Sequence, residues 1–282
     1  MADTASIGLK VRDKVVVITG GARGIGLATA TALHKLGAKV AIGDIDEVRV
    51  KESGAALDLD VYGKLDVTDP HSFSDFLDEV ERQLGPIDVL VNNAGIMPLG
   101  RVVDESDAVT RRILDINVYG VILGSKLALA RMIPRGRGHV INVASLAGET
   151  YLAGAATYCA SKHAVVGFTD AARIEYRRSG VKFSVVKPTF VNTELIAGTS
   201  GAKGVRNAEP SDIADAIVKL VAHPRPRVRV TRTAGAIIAS QKFMPRALSE
   251  GLNRLLGGEH VFTDAVDVEK RQAYEARARG EQ

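Results

Sequence analysis

Two ionisable side chains lie four residues apart in the run Tyr158-Cys159-Ala160-Ser161-Lys162. On a helix, that spacing places the phenol of Tyr158 and the ammonium of Lys162 on one face. A free tyrosine has a pKa near 10, which leaves only about 0.1% phenolate at neutral pH. A cation about 4 Å away would lower that pKa by about three units before desolvation opposes the change. The pair therefore predicts an acid/base tyrosine, although the same spacing arises by chance in many helices.

A glycine-rich turn near the start of the chain could hold phosphate groups. The β-branched run 15–19 leads into residues 19–26, which carry glycine at positions 20, 21, 24 and 26, and a helical pattern follows. Glycines at a strand-to-helix turn let the backbone approach a pyrophosphate, and the helix amino terminus supplies free N–H groups. Because the turn follows a strand and opens a helix, it predicts a nucleotide site in preference to a plain tight turn.

Two acidic residues that follow later strands bear on the choice of nucleotide. Asp44 ends the second predicted strand, where a carboxylate can hydrogen-bond both ribose hydroxyls and repel a 2′-phosphate. This favours NAD over NADP, although Arg23 could partly neutralise such a phosphate. Asp66, at the end of the third predicted strand, could reach the adenine amino group, begin a turn, or cap the helix after Pro70.

Further polar residues follow the fourth and fifth predicted strands. Asn92 and Asn93 could brace the sheet beside a cofactor or satisfy a turn. Ser145 places a hydroxyl at the same carboxyl edge, which is where open α/β sheets bind ligands. Asn117 is an amide inside a long, mostly apolar helical pattern, where a buried polar group usually has a partner.

The elements that must position these residues alternate along the chain. Short apolar strands separate longer helical stretches, and strands of that kind are buried on both faces, as in a parallel sheet covered by helices. The pattern predicts an α/β, doubly wound fold of about seven strands. The predicted strands are 15–19, 40–42, 63–67, 87–91, 140–143, 181–186 and 228–231.

Composition sets the broad class of the protein. The 282 residues are 46% hydrophobic and 25% charged, which suits a soluble protein with a large core. The only cysteine is Cys159, and no run resembles a signal peptide or a membrane span, so we expect a cytoplasmic protein without a transmembrane segment. The six histidines lack ligand spacing, so we predict no metal site. A net charge of +4 does not by itself indicate nucleic-acid binding, and we predict none.

Taken together, these motifs resemble the short-chain dehydrogenase/reductase family of the single-domain, Tyr-x-x-x-Lys type. The resemblance covers about residues 12–232 and implies one Rossmann-like domain over residues 1–282, with a C-terminal helical extension at about 235–282. It implies catalytic residues at Asn117, Ser145, Tyr158 and Lys162. It implies cofactor contacts at Gly20, Arg23, Gly24, Ile25, Gly26, Asp44, Asp66, Val67, Asn93, Ala94, Gly95, Tyr158, Lys162, Pro188, Val191 and Thr193.

The resemblance also implies hydride chemistry with NAD. Ser145 would hydrogen-bond the substrate oxygen, and Tyr158 would take its proton as the hydride leaves carbon. Lys162 would hold the nicotinamide ribose, and Asn117 would hold a water that links Lys162 to solvent. The chain departs from the family at Thr189, where a glycine is usual. The alternative function is a non-catalytic, dinucleotide-sensing protein that acts through a partner, a class that typically lacks the tyrosine or the lysine.

The residues expected to face the substrate are mainly apolar, which favours a lipophilic secondary alcohol or its ketone. They are Met97, Pro98, Leu146, Ala147, Gly148, Tyr151, Leu152, Leu195 and Ile196. By resemblance, two long helices at about 104–131 and 157–178 would form the contact of a homodimer or homotetramer.

The extension combines a basic stretch with an amphipathic pattern. Residues 223–246 carry six arginines and lysines without an acid, and leucines at 248, 252, 255 and 256 recur at helical spacing. The segment could pack on the body of its own subunit. Alternatively, it could border the active-site mouth, add an apolar wall and present its basic face to an anionic lipid surface.

Overall fold

The computed structural model describes residues 2–199, 207–230, 251, 262–263 and 266–280. Within these residues the strands are β1 (Val15–Thr19), β2 (Lys39–Asp44), β3 (Val61–Lys64), β4 (Val89–Asn92), β5 (Gly138–Val143), β6 (Val181–Lys187) and β7 (Arg227–Arg229). They form one seven-stranded sheet in the order β3-β2-β1-β4-β5-β6-β7, and every neighbouring pair is parallel. The predicted doubly wound, Rossmann-like sheet is confirmed.

Within the described residues, helices precede the first strand, connect successive strands and follow the last one. They are α1 (Ala2–Val11), α2 (Gly24–Lys35), α3 (Glu47–Ala56), α4 (Pro70–Leu84), α5 (Asp107–Leu114), α6 (Gly120–Met132), α7 (Ala156–Glu175), α8 (Pro210–Ala222) and α9 (Val268–Arg279). A π-helical turn, Asp115–Tyr119, joins α5 to α6. Local chemistry fixes some of the starts: Asp69 caps α4 by accepting from the His71 N–H at 2.9 Å, and Pro70 occupies the first turn.

Both faces of the sheet are buried, and alternate strand residues belong to different cores. Val16 and Ile18 of β1 pack in one cluster with Leu33 of α2, whereas Val15 and Val17 pack in another with the residues of α4. All four of these strand side chains are at most 4% exposed. A strand buried on both faces cannot alternate polar and apolar residues, which explains why the strands read as continuous apolar runs.

The third strand was predicted to begin two residues and to end three residues too late. It spans Val61–Lys64, and Asp66 lies beyond its end. The hydrogen bond from the Leu65 N–H to the Asp44 carbonyl, at 2.9 Å, is the last link to β2. Val67 lies outside the sheet. Its apolar side chain instead packs against Gly120, where an added Cβ would lie 2.9 Å from a Val67 methyl.

The continuous helical stretch Asp107–Arg135 has the length and mean hydropathy, 1.5, of a membrane span. Half of its most apolar window is buried inside the protein, and α6 packs against β4 and β5. A core helix of an α/β sheet meets the same criterion of length and composition, so the stretch is weak support for a membrane segment.

The C-terminal extension is only partly within the described residues. The predicted amphipathic helix with leucines at 248, 252, 255 and 256 lies outside them, as does most of the basic stretch. The helix α9 and the buried Phe262 are described and pack near the substrate-side loops. The division into a core of about residues 12–232 and an extension stays a prediction.

Candidate active site

The turn between β1 and α2 requires glycine at two positions. Gly20 has a φ of +65°, and a Cβ there would lie 2.9 Å from the Ala94 Cα. A Cβ on Gly26 would lie 2.1 Å from the Gly20 carbonyl oxygen, so the turn closes only with glycine at that position. The residue before α2, Arg23, makes no side-chain cap. The first N–H groups of α2 are thus left for an anionic ligand.

Amide side chains hold the strand ends beside this turn. Asn93 donates its Nδ2 hydrogens to the carbonyl oxygens of Thr19 (2.9 Å) and Gly20 (3.0 Å), which ties β4 to β1. Asn92 is 1% exposed and donates to the Asn142 Oδ1 at 2.9 Å, which ties β4 to β5. Both amides therefore brace the sheet at its carboxyl edge.

Acidic groups dominate the end of β2. Asp44 accepts hydrogen bonds from the Ala22 N–H at 3.0 Å and the Asp46 N–H at 3.2 Å, and burial raises its pKa. Arg23 forms ion pairs with Asp46 and with Glu194. Because two carboxylates already hold this guanidinium, it has little positive charge to offer a 2′-phosphate.

Asp66 has one of the three roles predicted for it. Its Oδ1 accepts hydrogen bonds from the Thr68 N–H (2.9 Å) and hydroxyl (2.7 Å), so it begins a turn. The cap of α4 is Asp69 instead. Asp66 and Val67 also line the large cavity described below.

Tyr158, Ser145 and Lys162 come together where β5 ends and α7 begins. Tyr158 and Lys162 are 6% and 5% exposed, and a hydrogen bond joins Tyr158 to Ser145. The Lys162 Nζ lies 5.5 Å from the centre of the Tyr158 ring and donates to the Val143 carbonyl at 3.2 Å. The predicted shared face of α7 is therefore observed, with the serine hydroxyl beside it.

The electrostatic balance of this pair differs from the simple expectation of a lowered tyrosine pKa. Burial raises the pKa of Tyr158 to about 12, and the hydrogen bond to Ser145 opposes that rise. Burial also lowers the pKa of Lys162 to about 8. Desolvation is the largest cause of both pKa shifts because both side chains are almost completely removed from water. The Tyr158 phenol is thus protonated at neutral pH.

Asn117 lies beneath the site on the π-helical turn. Its Oδ1 accepts from the Ile96 N–H at 2.8 Å, and its Nδ2 donates to the Ile96 carbonyl at 2.9 Å and to the Ser161 hydroxyl at 3.1 Å. π-Helical turns frequently occur at functional sites. The side chain joins the loop after β4 to α7, and it does not contact the cavity.

A cavity of about 1310 Å³ opens at the carboxyl edge of the sheet. Its volume exceeds the ~300–1,000 Å³ of usual small-molecule pockets, which leaves room for a dinucleotide and a substrate together. Every predicted catalytic and cofactor residue lines it except Gly26 and Asn117, which pack behind its wall. Those lining it are Gly20, Arg23, Gly24, Ile25, Asp44, Asp66, Val67, Asn93, Ala94, Gly95, Ser145, Tyr158, Lys162, Pro188, Val191 and Thr193.

Most of the residues predicted to face the substrate line the cavity, but three of them do not. Of the predicted substrate-facing residues, the cavity is lined by Met97, Leu146, Ala147, Leu152, Leu195 and Ile196. Pro98, Gly148 and Tyr151 do not line it. Gly148 packs against α7 instead, since a Cβ there would lie 2.6 Å from the Lys162 carbonyl oxygen.

One of the two alternatives for the extension placed it at the active-site mouth, but sequence reasoning did not identify the residues that the last part of the chain contributes to the cavity. The cavity is also lined by Phe262, Tyr274, Arg277, Ala278, Arg279 and Gly280 from this part, and by Arg111 and Arg112 from α5. The ion pairs of Glu275 with Arg271 and Arg279 have the four-residue spacing typical of a helix. That spacing predicts a helix, but no residue pattern places it over the site.

The comparisons with known proteins agree with the fold and the site described above. The profile of the family described as short chain dehydrogenase matches residues 14–203. Cis-4-hydroxycyclohexanecarboxylate dehydrogenase from Sinomonas cyclohexanicum is 36% identical over 221 residues, which cover 74% of this chain and 89% of that protein. The probable oxidoreductase EphD from Mycobacterium tuberculosis is 33% identical over 260 residues, which cover 84% of this chain. The chain spans only 44% of EphD.

Solved structures share the fold. A short chain dehydrogenase/reductase from Burkholderia phymatum, in complex with NAD, superimposes with a TM-score of 0.76 and 25% identity, covering 83% of this chain and 94% of that one. The family profile, the relatives and the arrangement of Ser145, Tyr158 and Lys162 all agree. The chain belongs to the short-chain dehydrogenase family.

Proposed function

We propose that the protein is an NAD-dependent oxidoreductase that interconverts an apolar secondary alcohol and its ketone by hydride transfer. The observation that carries the proposal is the hydrogen-bonded pair Ser145 and Tyr158, beside Lys162, in a cavity whose other end is the glycine-rich turn. The relative named for cis-4-hydroxycyclohexanecarboxylate, an alicyclic secondary alcohol, supports the same reaction class.

The residues of the cavity fit a nicotinamide dinucleotide. The uncapped amino terminus of α2 suits the pyrophosphate, Asp44 suits the adenosine ribose, and Lys162 suits the nicotinamide ribose. Bound there, NAD would supply the hydride acceptor for alcohol oxidation. The related structure in complex with NAD supports this choice of cofactor.

Side chains of the protein would bind the reacting oxygen of the substrate and transfer its proton. The Ser145 hydroxyl would hydrogen-bond the reacting oxygen of the substrate. Tyr158 would give its proton to the ketone oxygen during reduction, for which its raised pKa already holds the acid form, and take it back during oxidation. Asn117 would keep α7 and the loop after β4 in register beneath them.

The direct test is a panel of secondary alcohols and ketones, from short polyols to cyclic and long-chain compounds, assayed with NAD and with NADP. We expect turnover that favours the apolar members. A protein that binds NADH but turns over no member of the panel would instead be the non-catalytic dinucleotide sensor.

The cofactor preference should depend on Asp44. We expect NAD to be at least about tenfold more efficient than NADP, since one uncompensated contact between charges should exceed about 1.4 kcal/mol. Asp44→Ala should narrow that ratio, measured as kcat/KM for each cofactor with one alcohol.

A matched variant separates this direct repulsion from the role of Arg23. Asp46→Asn keeps a side chain that can cap α3 but removes the charge that pairs with Arg23. It should lower the KM for NADP while leaving the KM for NAD nearly unchanged. Equal efficiency of the wild type with both cofactors would contradict the proposal.

The proposed assembly is a homodimer or homotetramer through the helices of residues 104–131 and 157–178. Apolar side chains on these helices are exposed in the single chain: Leu114 is 40% exposed, Tyr119 43% and Ile174 54%. Burial of such residues between copies would be favourable. Sedimentation equilibrium at micromolar concentration should give the mass of a dimer or larger, and a monomer would contradict this.

A further inference from the structure

The helix α9 lies across the mouth of the cavity and joins its two walls. On one side it contacts the loop after β4 through hydrogen bonds to Met97 and Leu99. On the other side it contacts the segment after β6, where Arg271 donates to the carbonyl oxygens of Leu195 (2.8 Å) and Ala197 (3.1 Å). At its carboxyl end, the Ala278 carbonyl accepts from the Arg112 Nε at 3.0 Å.

Side chains from successive turns of α9 form hydrogen bonds with the backbone of the loop after β4. The Met97 N–H donates to the Tyr274 hydroxyl at 2.7 Å, and the Met97 carbonyl accepts from Arg271 at 2.5 Å. The Leu99 N–H donates to Glu275 at 3.1 Å, and its carbonyl accepts from Arg279 at 3.0 Å. Side chains of α9 therefore pair with both the N–H and the carbonyl of Met97 and of Leu99. These bonds fix the position of the helix over the cavity.

Tyr274 is placed among apolar groups at the substrate end. The Tyr274 side chain lines the cavity, and the cluster around the catalytic Tyr158 includes Met97, Ile196 and Phe262. Burial raises the pKa of Tyr274 above its usual range, and the neighbouring Tyr158 adds to that rise. Its phenol therefore stays protonated in the working range of pH.

The Tyr274 hydroxyl can still donate one hydrogen bond. A phenol offers one O–H donor and acceptor lone pairs, and the Met97 N–H uses an acceptor position. Across the described ranges, no residue accepts the Tyr274 hydroxyl hydrogen. A polar group that lines an apolar part of a cavity is costly unless a ligand or water pairs with it.

We propose that Tyr274 determines substrate specificity by donating a hydrogen bond to a second oxygen of the substrate, away from the carbon that reacts. The inference rests on the proposed alcohol/ketone function and makes its substrate class narrower. The substrate has a hydrocarbon body that fills the apolar end, a carbinol for Ser145 and Tyr158, and an ether, carbonyl or carboxylate oxygen for Tyr274.

The experiment compares two alcohols of almost the same shape, with the substituent at ring position 3 or 4: methoxycyclohexanol and ethylcyclohexanol. Only the first carries a second acceptor oxygen. The wild type should favour one of the methoxy compounds by about three- to tenfold in KM, the factor that a neutral hydrogen bond usually gives. Tyr274→Phe keeps the ring that stacks 4.7 Å from the Arg271 guanidinium and should remove that preference.

Two control variants separate donation from mere loosening of α9. Arg279→Ala removes the bond to the Leu99 carbonyl and leaves the phenol in place, so it should raise the KM of the methoxy and ethyl alcohols equally. Lys270→Ala changes a side chain that is 75% exposed and should leave both KM values unchanged. A methoxy preference that survives in Tyr274→Phe, or is absent from the wild type at both ring positions, would overturn the proposal.

Failure of the proposed function would look different. If the wild type turns over neither of these alcohols nor any member of the panel with NAD or NADP, the proposed function is wrong. Isothermal titration with the matching ketones then tests Tyr274 directly. Tighter binding of the methoxy ketone by the wild type but not by Tyr274→Phe supports the role of Tyr274. Equal binding of both ketones overturns it.

Discussion

Tyr158→Phe should lower kcat by about two to four orders of magnitude, because it removes only the proton donor and keeps the ring. The ring is 6% exposed and packs in an apolar cluster, so phenylalanine fits the same space. The measurement is the turnover of the best alcohol with NAD, together with the affinity for NADH from nicotinamide fluorescence. We expect turnover to fall while the dissociation constant for NADH stays within about threefold of the wild type.

The neighbouring cysteine supplies the matched control. Cys159 is also 6% exposed and belongs to the same apolar cluster, but its thiol does not line the cavity. Cys159→Ala therefore reports what a small loss of packing next to Tyr158 does to the rate, and it should keep most of the activity. If Tyr158→Phe retained activity comparable to Cys159→Ala, the acid/base role of Tyr158 would be wrong.

The sheet and the glycine-rich turn between β1 and α2 were predictable because each depends on local chemistry. Continuous apolar runs report strands that are buried on both faces, and glycines at a strand-to-helix turn report the close approach of another group. Gly20 shows the second point, since its positive φ and its contact with Ala94 both exclude a side chain. The strand β3 was predicted too late because Val67 was assigned to it. A helix buries Val67, and an apolar residue alone does not show whether a helix or a sheet buries it.

The pKa values of Tyr158 and Lys162 could not be predicted from spacing. The four-residue separation of Tyr158 and Lys162 gives their shared face, and an attraction computed for an exposed pair follows from it. The degree of burial depends on residues far away in the chain, including Phe262, which packs in the same cluster as Tyr158. Burial reverses the sign of the expected shift for the tyrosine.

Sequence reasoning offered a position at the active-site mouth only as one alternative for the extension, because the contacts of α9 are long-range and specific to individual atoms. Its burial depends on few apolar side chains, among which Ala278 is 2% exposed. Most of its contacts are hydrogen bonds between charged or phenolic side chains and the carbonyl and N–H groups of Met97, Leu99 and Leu195. Hydropathy patterns carry no information about partners of that kind.

Arg271→Met should detach α9 from the mouth of the cavity. Arg271 is 1% exposed, and its guanidinium donates to Glu275 and to the carbonyl oxygens of Met97, Leu195 and Ala197. Methionine fills similar space but leaves these acceptors without their donor, and breaking a buried ion pair typically costs about 3–5 kcal/mol. Since α9 buries little apolar surface, we expect this cost to appear as local opening and not as global unfolding.

Hydrogen exchange measures that opening directly. A loss of ~3 kcal/mol corresponds to a roughly hundredfold faster exchange of the α9 amides, whereas exchange in β1 and β4 should change little. The KM for apolar alcohols should rise in parallel, because the wall that carries Tyr274 leaves the cavity. Arg277→Ala removes an ion pair with Glu194 that is 32% and 49% exposed, and it should change α9 exchange by less than about fivefold. Equal acceleration of exchange in α9 and in the central strands would mean that Arg271 supports the whole fold, and α9 would then not be a separately docked wall.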